Sequence, residues 1–323
     1  MTAYNKDVLQ KIAIRSLESY PDYKGKLTFL GQRDSITFKL ESSKGKFLLK
    51  LHDHNDHNIV QNEIIQSELK WLEALNEETE IVTNKPVHNI HGDYVTVISV
   101  DDIAMSATLV LWVEGQILDR EPNEKEVRAL ANVMVSLHEH ACSWDIPQDF
   151  KRPNFNTSTL RSSLEKLKAL QEKQIVQEYD IDILQKTIDQ IIKNVNKLNK
   201  TKESWGLIHS DLHESNYVVH KDEVRPIDFS VCGFGFYMFD IAETLLHLES
   251  DNRRFFIDAY LRKRQLTQYN QRNLESLFLW QVIRGYGTHS SNPKEFEWIS
   301  ESVPMFVREY CSKYLNGQSF LFK

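Results

Sequence analysis

Apolar residues at Val8, Leu9, Ile12, Ala13 and Leu17 recur at three- and four-residue intervals, the period of one helical face, and Pro21 marks where that face stops. The period then shortens. Residues 27–31, 35–40 and 47–51 are short runs of β-type composition, the last two joined across the turn residues Ser43-Lys44-Gly45-Lys46. Helical spacing returns over residues 58–75 through Ile59, Ile64, Ile65, Leu69, Leu72 and Leu75. Two more strand candidates flank the His91-Gly92-Asp93 turn, and residues 108–113 make a third. Beyond Gly115 the pattern is mainly helical. An amphipathic stretch starts at Glu124, and leucine and isoleucine stripes over 159–170 and 181–198 fit a helical hairpin packing on itself. The pattern predicts an α+β chain in two parts, a small antiparallel sheet with a helix and then a larger helical body.

One β-type interruption breaks the helical part. Tyr217-Val218-Val219-His220, the polar turn Lys221-Asp222-Glu223 and Val224-Arg225-Pro226-Ile227 read as a short hairpin. Chemistry-bearing residues flank it on both sides: His209-Ser210-Asp211-Leu212-His213-Glu214-Ser215-Asn216 before, and Ile227-Asp228-Phe229 after. An Asp, an Asn five positions on and a second Asp on the next strand is the spacing of phosphoryl-transfer sites that read HRDxxxxN and DFG. The loose transition state of phosphoryl transfer leaves the protein to supply position and charge neutralisation. One carboxylate must orient the acceptor hydroxyl and take its proton, a role that falls to Asp211. A carboxylate and an amide must offer hard oxygens to Mg²⁺, roles for Asp228 and Asn216. A polar helix-capping loop would account for the DxxxxN spacing alone, but not for His209, the hairpin and the closing IDF together.

In the first part, Lys50 closes the strand Phe47-Leu48-Leu49-Lys50-Leu51, where such a site needs a lysine for the α- and β-phosphates of ATP. Its glutamate partner belongs on the next helix; Glu68 is the first choice and Glu63 the second. The phosphate loop has neither GxGxxG nor GxxxxGK[ST], which excludes a P-loop kinase. Only Gly31-Gln32-Arg33-Asp34-Ser35 is present, and Ser35 could offer its N–H and hydroxyl to a phosphate. Two clusters imitate metal motifs. His52-Asp53-His54-Asn55-Asp56-His57 packs its ligands too densely for a rigid site and reads as a solvated loop. His138-Glu139-His140-Ala141-Cys142 lacks the spacing of HExxH.

Composition narrows the class. The chain has 323 residues, 41% hydrophobic and 26% charged, enough for two parts with sizeable cores. A net charge of -7 disfavours nucleic acid as a partner. No apolar run approaches the roughly 20 residues needed to span a bilayer, and the first residues lack a signal-peptide core. Cys142, Cys232 and Cys311 are scattered and odd in number, so a cytoplasmic, reducing setting is expected. The first 115 residues hold 17 acidic and 12 basic side chains and the rest 29 and 27, so the helical part is nearly neutral.

Taken together, LIHSDLHESNYVVHKDEVRPIDFSVCGFGFYMFDIAETL, SELKWLEAL, LVLWVEGQIL and LANVMVSLHEHA resemble the aminoglycoside phosphotransferase and choline kinase-like family of small-molecule kinases. The resemblance implies a two-lobed protein-kinase-like fold, with an N-lobe over 1–110, a hinge at 111–115 and a C-lobe over 116–323. It implies Asp211 as catalytic base, Asn216 and Asp228 as Mg²⁺ ligands, Lys50 as the phosphate lysine and Glu68 as its partner. The adenine of ATP would meet the backbone of Leu111 and Val113, with Gly115 turning the chain onward, and Asp240 in FDIAETL would brace the catalytic loop. The chain departs from the family at Ser210, where Gly is usual and accepts backbone angles that Ser resists, and at Phe229-Ser230 in place of Phe-Gly. The acceptor would be a small hydroxylated molecule. A strongly cationic aminoglycoside would favour a more acidic C-lobe; homoserine-, choline- and sugar-like alcohols stay open. Trp280, Gln281, Arg284 and Tyr286 fall on a late helix as contacts or core. A protein kinase would need an activation segment, and a silent nucleotide-binding module would have lost a motif residue; the chain shows neither.

Overall fold

The computed structural model of the protein describes residues 4–32, 35–53 and 62–322. The chain divides into two compact units, one of residues 1–116, 144–152 and 225–230, the other of residues 117–143, 153–224 and 231–323.

The first unit begins with helix α1 (Lys6–Ser16), capped by Asn5, whose side chain accepts the Asp7 N–H. The helix stops earlier than the apolar pattern implied. Leu17–Ser19 and Pro21–Tyr23 are separate 3₁₀ turns, because Pro21 has no N–H to continue an α-helix. Strands β1 (Gly25–Gln32), β2 (Ile36–Ser42), β3 (Gly45–Asp53), β4 (Pro86–Val87), β5 (Thr96–Val100) and β6 (Ile103–Leu111) follow, with helix α2 (Asn62–Glu78) between β3 and β4. The sheet is antiparallel in the order β1-β2-β3-β6-β4, and β5 pairs with β6.

Strand period decides what each face does. Ile36, Phe38 and Leu40, then Phe47, Leu49 and Leu51, then Met105, Ala107 and Leu109 enter one core with Leu9, Ile12 and Ala13 of α1. The alternate positions Lys50, His52, Thr108 and Val110 line a small cavity with Ile65, Glu68, Leu69 and Leu72 of α2 and with Phe229. A lysine thus shares the α2 side of the sheet because it is one residue out of phase with the α1 core.

The second unit is mainly helical: α3 (Glu124–Ser143), α4 (Ser158–Glu172), α5 (Glu178–Val195), α6 (Tyr237–Leu246), α7 (Ser250–Lys263), α8 (Gln271–His289), α9 (Phe296–Phe306) and α10 (Ser312–Leu315). Leu274, Leu277, Phe278, Leu279, Trp280, Ile283 and Tyr286 of α8 are all buried, so α8 is apolar on nearly every side, as a central helix must be. Four short strands interrupt the helices: β7 (Trp205–Ile208) pairs with β10 (Gly233–Phe236), and β8 (Tyr217–His220) with β9 (Glu223–Pro226). The β8–β9 turn holds both Lys221 (φ 49°) and Asp222 (φ 70°) in the left-handed region, which a right-twisted two-residue hairpin requires. Among the described residues no helix is long and apolar enough to cross a membrane.

Candidate active site

The loop after β7 is built on an anchor from below. Asp240, in the first turn of α6, is fully buried and accepts two backbone N–H groups, His209 at 3.0 Å and Ser210 at 2.6 Å. His138 Nε2 lies 3.1 Å from the same carboxylate, and His138 Nδ1 lies 2.7 Å from the Tyr260 hydroxyl. The arrangement fixes the tautomer, with Nε2–H donated to Asp240 and Nδ1 accepting from Tyr260. Burial pushes the His138 pKa down despite that bond. Burial alone would raise the Asp240 pKa, but the hydrogen bonds from His138 and the Ser210 N–H hold it below the ordinary carboxylate value. The pair is therefore a neutral imidazole beside a carboxylate.

Ser210 carries the cost of this geometry. Its φ is 64°, a conformation Gly adopts freely and Ser does not. Two contacts hold it there besides Asp240: Ser210 Oγ donates to the Val231 carbonyl at 2.8 Å, and Arg284 reaches the Ser210 carbonyl at 3.3 Å.

Asp211 follows, half-buried, and Asn216 closes on it. Asn216 Nδ2 donates to Asp211 Oδ2 at 2.6 Å and to the Asp211 carbonyl at 2.9 Å. The amide thereby turns its N–H₂ inward, and no described residue hydrogen-bonds its Oδ1. His213 joins the group, with Nε2 3.6 Å from Asp211 Oδ2 and 3.2 Å from Asn216 Nδ2. Burial alone would lower the His213 pKa; the neighbouring Asp211 carboxylate and the charges of Glu214 and Glu243 outweigh it, so the pKa is raised.

The residues expected on the phosphate side gather in the first unit. Lys50 Nζ pairs with Asp228 Oδ1 at 3.1 Å, bringing together side chains 178 positions apart. Asp228, like Ser210, is left-handed, with φ 58°. Glu68 is buried and lines the cavity with Lys50, whereas Glu63 is exposed and pairs with Lys151 at 2.8 Å. Glu68 lies 3.9 Å from Arg152, a buried arginine that also donates to the carbonyls of Ile64, Phe229 and Ser230. Arg152 thus ties α2 to the backbone just after Asp228, a role nothing in its sequence neighbourhood announced.

Other positions depart from expectation. Leu111 is exposed and its backbone is engaged within the unit, its N–H by the Lys85 carbonyl at 2.8 Å and its C=O by Asn84 Nδ2 at 3.1 Å. Of the two hinge residues, only Val113 leaves its backbone groups without a described partner. Ser35 is half-buried, but Arg33 and Asp34 of its loop lie outside the described residues. His52 and Asp53 are not a solvated loop: they are buried at the end of β3, His52 near Thr108 and Asp53 accepting from the Tyr4 hydroxyl. Residues 54–57 of that cluster lie outside the described residues. His138, set aside as half of a broken zinc motif, belongs to the Asp240 anchor. Trp280, Gln281 and Tyr286 are buried; Arg284 packs over Phe155 and Phe239 beside Ser210.

A model of the phosphotransferase enzyme family matches residues 27–285. An amicoumacin kinase of Bacillus subtilis (strain 168) is 22% identical over 249 residues, covering 76% of this chain and 68% of its own. Among solved structures, a microcompartment-associated aminopropanol kinase superposes with a TM-score of 0.79 at 19% identity, covering 96% of this chain and 99% of its own. An amicoumacin kinase in complex with AMP-PNP, Ca²⁺ and Ami gives 0.74 at 17% identity, over 98% and 95%. A choline kinase from Cryptosporidium parvum Iowa II gives 0.64 at 13% identity, over 99% and 100%. The two-lobed protein-kinase-like class expected from the sequence is the fold these structures share.

Proposed function

Because the chain belongs to the phosphotransferase enzyme family, we propose that it moves the γ-phosphoryl group of ATP to a hydroxyl of a small molecule, with Asp211 as the base. The observation that carries this reading is the Asn216–Asp211 bond in a loop pinned by Asp240. It holds one carboxylate in a fixed position to orient and deprotonate an alcohol.

The residues suit a hard divalent cation. Asn216 spends its N–H groups on Asp211 and leaves a carbonyl oxygen, and Asp228 already draws a cation, the Lys50 ammonium. We assign Asn216 and Asp228 to Mg²⁺ by their places in the motif. When bound, Mg²⁺ neutralises charge on the β- and γ-phosphates. Lys50 is assigned to the α- and β-phosphates, Glu68 to its orientation, Ser35 to the phosphate loop, and Val113, in preference to Leu111, to the adenine. Leu111 keeps an apolar contact role only.

The acceptor is proposed to be a small amino alcohol, with aminopropanol the first to try, since a relative of the same fold is named for it. Only eight residues separate Asp228 from α6, too few for the activation segment of a protein kinase. The test is ADP release in the presence of aminopropanol, choline, homoserine, a simple sugar and an aminoglycoside. Stimulation by one of them, lost in Asp211→Ala with folding intact, is the expected result. ATP binding with no stimulation by any acceptor would point instead to a silent nucleotide-binding module.

A further inference from the structure

We propose that His213, Glu214 and His247 form a second cation site, one that takes a first-row transition metal of the Zn²⁺ class, and that its occupancy restrains Asp211. One potential ligand atom from each of the three residues lies within 4.8 Å of the others. Glu214 Oε2 stands 3.7 Å from His213 Nδ1 and 3.5 Å from His247 Nδ1, too far for hydrogen bonds. Those separations are close to the edge of a tetrahedron with metal bonds of about 2.1 Å, roughly 3.4 Å. The same Oε2 is a buried carboxylate oxygen without a hydrogen-bond partner, which is costly unless something positive is shared there. Two ligands come from one loop and the third from the residue that caps α6, so the set is preorganised by the fold.

The outer atoms support the assignment. His247 Nε2 faces Glu243 Oε1 at 3.6 Å, and His213 Nε2 faces Asp211 Oδ2 at 3.6 Å. Neither contact is a hydrogen bond at that distance, but each carboxylate stands on the side of its ring where the partner of a metal-bound histidine lies. Two imidazoles and one carboxylate select Zn²⁺, Co²⁺ or Ni²⁺ over Mg²⁺, which prefers all-oxygen shells. Ligation at Nδ1 leaves hydrogen on Nε2 of His213, 3.6 Å from Asp211 Oδ2 and 3.2 Å from Asn216 Nδ2, and the cation adds positive charge beside that carboxylate. Asp211 is then drawn toward that charge and away from an acceptor hydroxyl. This last consequence rests on the assignment of Asp211 as the base; the metal site itself does not.

Metal-free full-length protein, titrated with Co²⁺ without nucleotide, is expected to develop the strong visible bands of a four-coordinate site, which Zn²⁺ abolishes and Mg²⁺ does not. His247→Ala is expected to weaken binding by more than the roughly 10–100-fold seen for outer-shell changes, with ATP turnover retained. Zn²⁺ should inhibit the unsubstituted enzyme and leave His247→Ala unaffected. Equal Co²⁺ binding by both proteins, or no binding by either, overturns the site. Tight binding without inhibition overturns the restraint on Asp211. Should no acceptor support turnover, the Co²⁺ spectra still decide the metal site on their own.

Discussion

Asp240 accepts the backbone N–H of Ser210 at 2.6 Å, and through that bond a helix buried in the second unit sets the conformation of the residue before the proposed base. Asp240→Asn keeps the shape but presents an N–H₂ group to a backbone donor and removes the charged partner of His138 Nε2. Unfolding in denaturant should show a loss of about 3 kcal/mol, in the range for breaking a buried polar pair. Turnover should fall with it.

The same pair sets a pH dependence. The folded-state pKa of His138 is depressed, so below its unfolded value of about 6.5 the unfolded chain binds a proton the folded one refuses. Stability contributed here is present above that pH and declines as pH falls through it. Asp240, also depressed, adds a second loss beginning near its unfolded value of about 3.9 and running to lower pH. His138→Gln should flatten the slope of unfolding free energy between neutral pH and about pH 5. An unchanged slope in that variant would remove His138 as its source.

Ser210 separates backbone strain from hydrogen bonding. Ser210→Gly relieves a left-handed residue, gaining about 1 kcal/mol, and loses the Oγ bond to Val231, at a similar cost, so its stability should match the parent. Ser210→Val keeps the strain, worsens it with a branched side chain and loses the bond, and should be destabilised by about 2 kcal/mol or more. Thermal unfolding of the two variants checks both signs.

Lys50 and Asp228 should matter far more to catalysis than to folding. The pair is partly exposed, its carboxylate side chain 46% accessible, so Lys50→Met should change stability by no more than about 1 kcal/mol. It should lower kcat/KM at least about 100-fold, the scale for removing a charge in the role proposed for Lys50 on the α- and β-phosphates. Comparable losses in both would make Lys50 structural.

The two glutamates of α2 should behave oppositely. Glu63→Gln breaks an exposed pair with Lys151 and should stay within about 0.5 kcal/mol of the parent. Glu68→Ala leaves the buried Arg152 short of a counter-charge and should cost about 3 kcal/mol. Paired denaturation curves decide between them.

What the sequence revealed follows physical range. Runs of β-type composition matched β1, β2 and β3 to within two residues at each end, whereas the strand expected over 108–113 caught only the end of β6, and the β8–β9 hairpin emerged from its β-branched runs. The DxxxxN spacing brought Asp211 and Asn216 together because both sit in one short loop. Long-range partners left no such trace: His247 lies 34 positions from His213, yet their rings stack at 4.6 Å. Arg152 finds Glu68 only through the fold, and His138 looked like part of a failed local motif because its partners, Asp240 and Tyr260, are over a hundred positions away. Helix α1 ends before the apolar stripe does, because the stripe continues through Leu17 into 3₁₀ turns.

The Asp240 carboxylate addresses main-chain atoms, not side chains, in the two residues it holds. Position 210 can therefore vary in sequence so long as the backbone can bend as required, while an exchange at 240 reshapes the loop whatever stands above it. A lineage could carry Ser where others carry Gly, as here, and keep its chemistry, so divergence in the visible motif is a poor gauge of divergence in mechanism; the distant aspartate is the better one.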